Sequence, residues 1–168
     1  MGGVDMRENG KVLIKDLEKN DKKAFSLWLQ DVNVVKFLID LFKISRKKDN
    51  VLNIPFGKNR KMFVLETEEG EKLGFCVLYD IDWQQKRSSM YIYIEKKENI
   101  EMDTAQEIVD LLLKRTALKY NLKDIEVHTK NIIFAKCFNK VEDFKKDEDG
   151  YSFKVALDNN TLSLNAAR

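Results

Sequence analysis

Between Ser88 and Lys140 the chain reads as strand, polar loop, long amphipathic helix, strand and short helix in one unbroken run. A strand-to-helix turn is where a protein presents main-chain N–H groups to phosphate, because a helix start carries unpaired donors and the positive end of its dipole. Here that turn is Lys96-Lys97-Glu98-Asn99-Ile100-Glu101-Met102-Asp103-Thr104-Ala105, without a glycine. The scaffold points to a phosphate-bearing ligand, while the side chains of the loop oppose one. Asp103 with Gln106, or Thr104 with Glu107, has the spacing of a capping box, and a helix capped by a carboxylate has filled the place a phosphate would take. Two unit charges about 5 Å apart repel by roughly 3 kcal/mol at an effective dielectric of about 20. Each carboxylate aimed at a diphosphate would therefore cost around tenfold or more in affinity.

Other chemistry is sparse. His128 is the single histidine, which excludes a histidine triad or a multi-histidine metal site; on a short strand it reads as a packing residue. Cys76 and Cys137 lie in apolar surroundings without metal-ligand spacing, as buried free thiols of a reducing cytosol do. Glu66, Glu68, Glu69 and Glu71 crowd a hairpin and read as a solvated turn. Trp28, Phe75, Tyr79 and Tyr151 fall at core positions. The 30 basic and 28 acidic side chains leave a formal charge of +2, so neither a nucleic-acid footprint nor a field for anionic lipid is expected. Basic runs at Lys43 to Lys48 and Lys58 to Lys61 read as solvated loop, with the rim of an anion site as the alternative.

With 168 residues the chain fits one domain, residues 1–157, and a loose tail at 158–168 that lacks a periodic face. No apolar run reaches membrane-spanning length, the N-terminus has no signal-peptide core, and Met6 stands where myristoylation wants Ser or Thr. A cytoplasmic protein, monomer or homodimer, is expected.

The elements that must position this chemistry follow from periodicity. Val12 to Leu17 reads as a strand, followed by a helix capped by Asn20 or Asp21 whose face is Ala24, Phe25, Leu27, Trp28 and Leu29. A second helix is expected from Asn33 to Phe42, then a loop from Ile44 to Arg60 with Pro55 and Gly57. Strands at Met62 to Glu66, Leu73 to Ile81 and Ser88 to Glu95 are joined by short turns and form an antiparallel meander. Gly70 suits the first of those turns. The apolar set Ile108, Val109, Leu111, Leu112, Leu113, Ala117 and Leu118 predicts a helix from about Thr104 to Tyr120. Ile125 to His128 is then a strand parallel to its predecessor. Asn131 caps a further helix whose face is closed by Phe138 and Val141, and Phe144 to Lys146 with Tyr151 to Leu157 make a closing hairpin. The fold class is α+β, three layers α/β/α around a mixed, mostly antiparallel sheet of six to seven strands.

This order resembles the GCN5-related N-acetyltransferase superfamily, over roughly Val12 to Leu157. Within it the chain looks most like the subgroup that acetylates ribosomal-protein N-termini. The likeness rests on Val12-Leu13-Ile14-Lys15-Asp16-Leu17, Phe25, Trp28-Leu29, Val35, Phe37-Leu38, Asp80-Ile81-Asp82-Trp83, Lys86, Tyr91-Ile92-Tyr93-Ile94, Leu111-Leu112-Leu113, Asn131, Ala135, Phe138 and Lys140. The resemblance implies acetyl-CoA in a V-shaped gap between the fourth and fifth strands, its pantetheine arm paired with the main chain of Tyr91, Ile92, Tyr93 and Ile94. It places Met102, Asp103, Thr104 and Ala105 at the pyrophosphate, with Asn131 and Phe138 also at the cofactor; Asn131 reads equally as a helix cap. The implied activity is direct transfer of an acetyl group to a primary amine, either a protein N-terminus or a small amine. A main-chain N–H near Ile92 polarises the carbonyl, and Ser89, Tyr91 or Tyr93 relays the amine proton. No metal is implied.

Three positions depart from the family pattern. Glu101, Asp103 and Ala105 stand where it has glycines, Phe138 where it has the tyrosine that protonates the leaving thiolate, and Ser89 where the ribosomal subgroup has a glutamate base. Two alternatives therefore stand beside the main reading. One is a catalytically degenerate domain that senses a ligand or binds a protein; the other is acetylation of an amino sugar or polyamine.

Overall fold

The computed structural model describes residues 12–18, 21–32, 34–36, 59–95, 100–138, 141–148 and 150–157. The expected second helix beyond Lys36, the basic run at residues 43–48, Pro55, the loop residues 96–99 and the tail from residue 158 lie outside them.

Strand β1 (Val12–Asp16) buries Val12 and Ile14 and exposes Leu13, the alternation of a half-covered strand. Helix α1 (Lys22–Trp28) turns Phe25 and Trp28 inward, three residues apart on one face. Strands β2 (Lys61–Thr67), β3 (Lys72–Asp82) and β4 (Arg87–Ile94) form the antiparallel meander. Helix α2 (Met102–Lys114) continues into a π-helical turn at Arg115–Lys119. Strand β5 (Asp124–Thr129), the short helix α3 (Ile132–Lys136) and the hairpin β6 (Val141–Asp147) and β7 (Gly150–Ala156) complete the order.

Among the described residues, all seven strands join one sheet in the order β1-β2-β3-β4-β5-β7-β6, in which β4 and β5 alone run parallel. Alternation along each strand divides the core in two. Met90, Ile92 and Ile94 of β4 join the α2 and α3 side, with Ile108, Val109, Leu112, Leu113 and Phe134. Tyr91 packs on the opposite side with Phe25, Trp28, Val34, Phe75 and Val77, and Tyr93 lies against that cluster. The three-layer α/β/α arrangement around a mixed seven-stranded sheet is the one expected.

Two local expectations change. Val141, read as closing the face of the helix after Asn131, is instead the first residue of β6, and α3 ends at Lys136. The periodicity misses most of β6 because its residues after Val141 are exposed, leaving no apolar alternation. The long helix begins at Met102 rather than Thr104, its first residues facing solvent.

Asp21, at the start of α1, is buried with its Oδ1 2.8 Å from Lys72 Nζ, and the same ammonium is 2.8 Å from Oε2 of buried Glu66. Lys15 reaches the other Glu66 oxygen. This four-residue ion network ties β1, β2 and β3 to the helix whose Phe25 and Trp28 cover Tyr93 and Phe75.

Candidate functional site

The site is built where β4 leaves β5. Their ladder runs from Arg87↔Asp124 to Ile92↔Thr129 and ends there, whereas β4 remains paired with β3 to Gly74↔Ile94. Gly74 accounts for that one-sided pairing: a Cβ at this position would lie 1.9 Å from the Tyr93 carbonyl oxygen, so only glycine lets the end of β4 press this closely on β3. Glu95 N–H donates to Leu73 O at 2.9 Å. Because main-chain groups alternate between the two edges of a strand, the N–H and C=O of Ile94 face the β5 side, past its last rung.

The gap expected along Tyr91 to Ile94 is thus shorter than the family likeness implied. Tyr91 and Ile92 lie inside the β4–β5 ladder, opposite His128 and Thr129, and only Tyr93 and Ile94 extend beyond it.

At the far end of the connection, α2 starts without a side-chain cap. The capping boxes read from spacing are not formed, because both candidate partners bind elsewhere. Gln106 Nε2 donates to Asp110 Oδ1 at 2.9 Å and to the Cys137 carbonyl at 3.2 Å, and Glu107 Oε2 accepts from Val12 N–H at 2.9 Å. Glu101 and Asp103 are exposed, and the first bond of the helix is Ala105 N–H to Glu101 O at 2.9 Å. Among the described residues the N–H groups of Met102, Asp103 and Thr104 thus keep the unpaired character of a helix start. The missing glycines also lose their force. Glu101 has φ −86° and ψ 151°, and no residue from Ile100 to Ala105 has positive φ, so this stretch has no need of glycine's left-handed freedom.

The remaining cofactor candidates fall nearby with different parts to play. Met102 is half exposed, its Sδ 3.5 Å from Cys137 Sγ. Thr104 is half-buried and Ala105 buried. Asn131 Oδ1 accepts from Ile133 N–H at 2.8 Å, so its carbonyl oxygen serves as a helix cap. Phe138 is buried, edge-on to Phe153 with 5.1 Å between ring centres.

On the α1 face of the sheet, β3, β4 and β5 bring together Tyr79, Ser89, Glu126 and His128, which sequence reasoning did not connect. Ser89 lies opposite Tyr79 and Glu126, Tyr91 opposite His128, and the Tyr79 and Ser89 side chains share a hydrogen bond. His128 Nε2 is 3.8 Å from Glu126 Oε1, and its ring centre is 6.3 Å from that of Tyr79. Burial pushes the imidazole below its ordinary pKa, against the opposing charges of Glu126 and Asp147. A cleft of about 430 Å³ continues from Ser89 and Glu126, with Asp80, Asp124 and Glu142 against Arg87 and Lys154 on its walls.

Of the expected proton relays, Tyr91 is buried, Tyr93 half-buried and Ser89 bonded to Tyr79. Burial, and then the Asp31 charge, pushes Tyr91 up; the same two causes hold Tyr93 at about 12, with its hydroxyl donating to Asp31. Both phenols stay protonated at neutral pH and are poor acceptors of an amine proton. Ser89, bonded to Tyr79, has no basicity of its own to replace the glutamate. The available signal for the missed residues was alternation: Glu126 and His128 interleave with buried Ile125 and Val127 and so share the opposite face.

No protein-family model and no curated protein sequence matches the chain. Among solved structures, the spermidine N-acetyltransferase of Vibrio cholerae in complex with CoA and spermine superposes with a TM-score of 0.58 at 13% identity, over 90% of this chain and 98% of that one. Its dodecameric form in an intermediate state gives 0.59 at 13% identity, over 87% and 94%. The spermidine/spermine N-acetyltransferase from V. cholerae in complex with manganese ions gives 0.57 at 13% identity, over 94% and 98%. At such identity the likeness is one of fold. Among the described residues no group of three or more His, Cys, Asp or Glu is placed to hold a metal ion, and no helix is long and apolar enough to cross a membrane.

Proposed function

We propose that this chain, which has the GCN5-related N-acetyltransferase fold, transfers an acetyl group from acetyl-CoA to a primary amine by direct attack. The observation that carries the reading is the pairing of two main-chain sites, the start of α2, which no described side chain caps, and Ile94, which faces the β5 side past the last rung. The N–H groups of Met102, Asp103 and Thr104 would hold the pyrophosphate, and Ile94 would pair with the pantetheine amides. Acetyl-CoA supplies a thioester that is electrophilic at its carbonyl carbon. This chain's residues orient the two reactants at the end of the β4–β5 ladder, and positioning is the main source of rate.

The departures from the family pattern bear on this unequally. The glycine-free stretch is compatible with phosphate binding because its dihedrals are ordinary and Glu101 and Asp103 lie in water, where their repulsion is screened. Phe138 provides no acid, so the leaving thiolate takes its proton from the attacking nitrogen. The acceptor enters on the α1 face, where the four carboxylates of the cleft outnumber its two cations and favour an ammonium group over a neutral amino sugar. A protein N-terminus and a small polyamine both carry such a group. Buried thiols Cys76 and Cys137 accord with a cytoplasmic setting.

The test is thermal denaturation with acetyl-CoA, followed by thioester cleavage across a panel of amines. A ligand at a hundred times its Kd adds about 2.7 kcal/mol, roughly 5–11 °C in Tm for a chain of this size. Absence of any shift at millimolar acetyl-CoA would sink the proposal. A shift without cleavage of any amine's thioester partner would instead identify a ligand-sensing module.

A further inference from the structure

We infer that His128 accepts the proton of the incoming amine, held on the α1 face of the sheet between Tyr79 and Glu126. This rests on the acetyltransferase reading above and adds the base that reading lacks. His128 lies opposite Tyr91, one rung before the ladder ends at Ile92↔Thr129, and so beside the point where β4 frees its main chain. Its side chain shares a face with Ser89 and Glu126, which line the cleft beside it, and is about one-third exposed. The main chain of Ile92, expected to polarise the carbonyl, is inside the ladder, so the thioester meets β4 at Tyr93 and Ile94, and His128 stands on the neighbouring strand, roughly 4.8 Å away, just before that freed stretch begins.

The groups facing it come from every neighbouring element. Tyr79 stands on β3, Ser89 and Tyr91 on β4, Glu126 on its own strand, Asp147 on β6, Ser152 and Lys154 on β7, with Asp31 behind Tyr91. Burial holds the ring neutral at pH 7, while Glu126 and Asp147 limit the cost of the imidazolium once it forms. Tyr79, Tyr91 and Tyr93 remain phenols, which leaves His128 the one imidazole among the described residues of that face.

The step balances. R–NH3+ gives a proton to neutral His128 and becomes R–NH2; the nitrogen bonds to the thioester carbonyl carbon; the C–S bond breaks, and the remaining ammonium proton passes to the departing thiolate. The products are the amide, CoA thiol and imidazolium, which releases its proton to solvent.

Because the chain has one histidine, its imidazole C2–H resonance is a single assignable NMR signal. Titration should place its midpoint below the ordinary histidine value in the free protein. With CoA bound, adding 1,4-diaminobutane should lower the midpoint by about 0.5–1 pH unit, since a cation some 5 Å away penalises the imidazolium. His128→Gln should cut kcat/KM for the amine about a hundredfold at pH 7, abolish the acid limb of the pH profile, leave KM for acetyl-CoA unchanged, and recover toward the pKa of the amine itself. A midpoint indifferent to the diamine on CoA-loaded protein, or a variant keeping the wild-type acid limb, overturns the role of His128 and leaves the acetyltransferase reading standing. Failure of CoA to raise the Tm overturns both.

Discussion

Replacing Lys72 by methionine should reverse how part of this protein's stability depends on acid. The ammonium lies 2.8 Å from both Asp21 Oδ1 and Glu66 Oε2, and both carboxylates are buried. Burial is the largest influence on each and alone would raise them; hydrogen bonds and charge from Lys72, joined by Glu18 N–H at Asp21 and by Lys15 at Glu66, outweigh it and lower both. A carboxyl whose folded pKa is depressed contributes stability that is present above its unfolded value, about 4, and lost as pH falls through the folded one. Without Lys72, burial at Asp21, its largest influence, is opposed only by the Glu18 N–H bond and the smaller effect of the Lys15 charge, and its folded pKa should rise above the unfolded value. Protonation then favours the folded state, so acidification from pH 7 toward 4.5 should narrow the gap between variant and wild type, while the depressed His128 costs both proteins the same stability as its unfolded imidazole charges. Breaking a buried pair typically costs 3–5 kcal/mol. The lower figure applies because Glu66 keeps Lys15, giving a loss of about 3 kcal/mol at pH 7 and roughly 6–12 °C in Tm. Urea denaturation of both proteins at pH 7, 5.5 and 4.5 reads the difference directly. A stability gap that is constant or widens as pH falls would refute the reasoning.

Three further outcomes are expected. Gly74→Ala forces a Cβ to 1.9 Å from the Tyr93 oxygen, and should cost about 3 kcal/mol or more while weakening acetyl-CoA binding through displacement of Ile94; a variant melting within a degree or two of wild type would contradict it. Asp103→Asn removes an exposed negative charge from the first turn of α2, and should tighten acetyl-CoA about two- to fivefold by calorimetry while slightly lowering the Tm, because the helix loses a favourable N-terminal charge. Cys76 and Cys137 are both buried, and burial pushes the Cys76 thiol up; neither should react with a thiol reagent at pH 8 until the protein is denatured, when both should.

The meander, the crossover helix and the two-sided core were legible in the sequence because alternation and 3.6-residue periodicity are local properties of β1 to β5 and α2. What stayed hidden depends on where distant segments meet. The capping boxes at Asp103 and Thr104 had the right spacing, yet Glu107 binds Val12, 95 residues away. Glycine absence at Glu101, Asp103 and Ala105 counts against a phosphate site in the sequence, whereas the dihedrals show no left-handed residue there. His128 read as packing because its neighbours in sequence are unremarkable; its meaning comes from lying opposite Tyr91 on a parallel rung. A slip of one residue in that ladder would carry His128 and Glu126 to the α2 side and bring Ile125 and Val127 to the amine's face. The base and the acidic cleft are therefore properties of the β4–β5 register, and the register is held by the apolar alternation of Ile125 and Val127 against Met90 and Ile92 in the core. The same four buried side chains that stabilise the sheet decide which face can do chemistry.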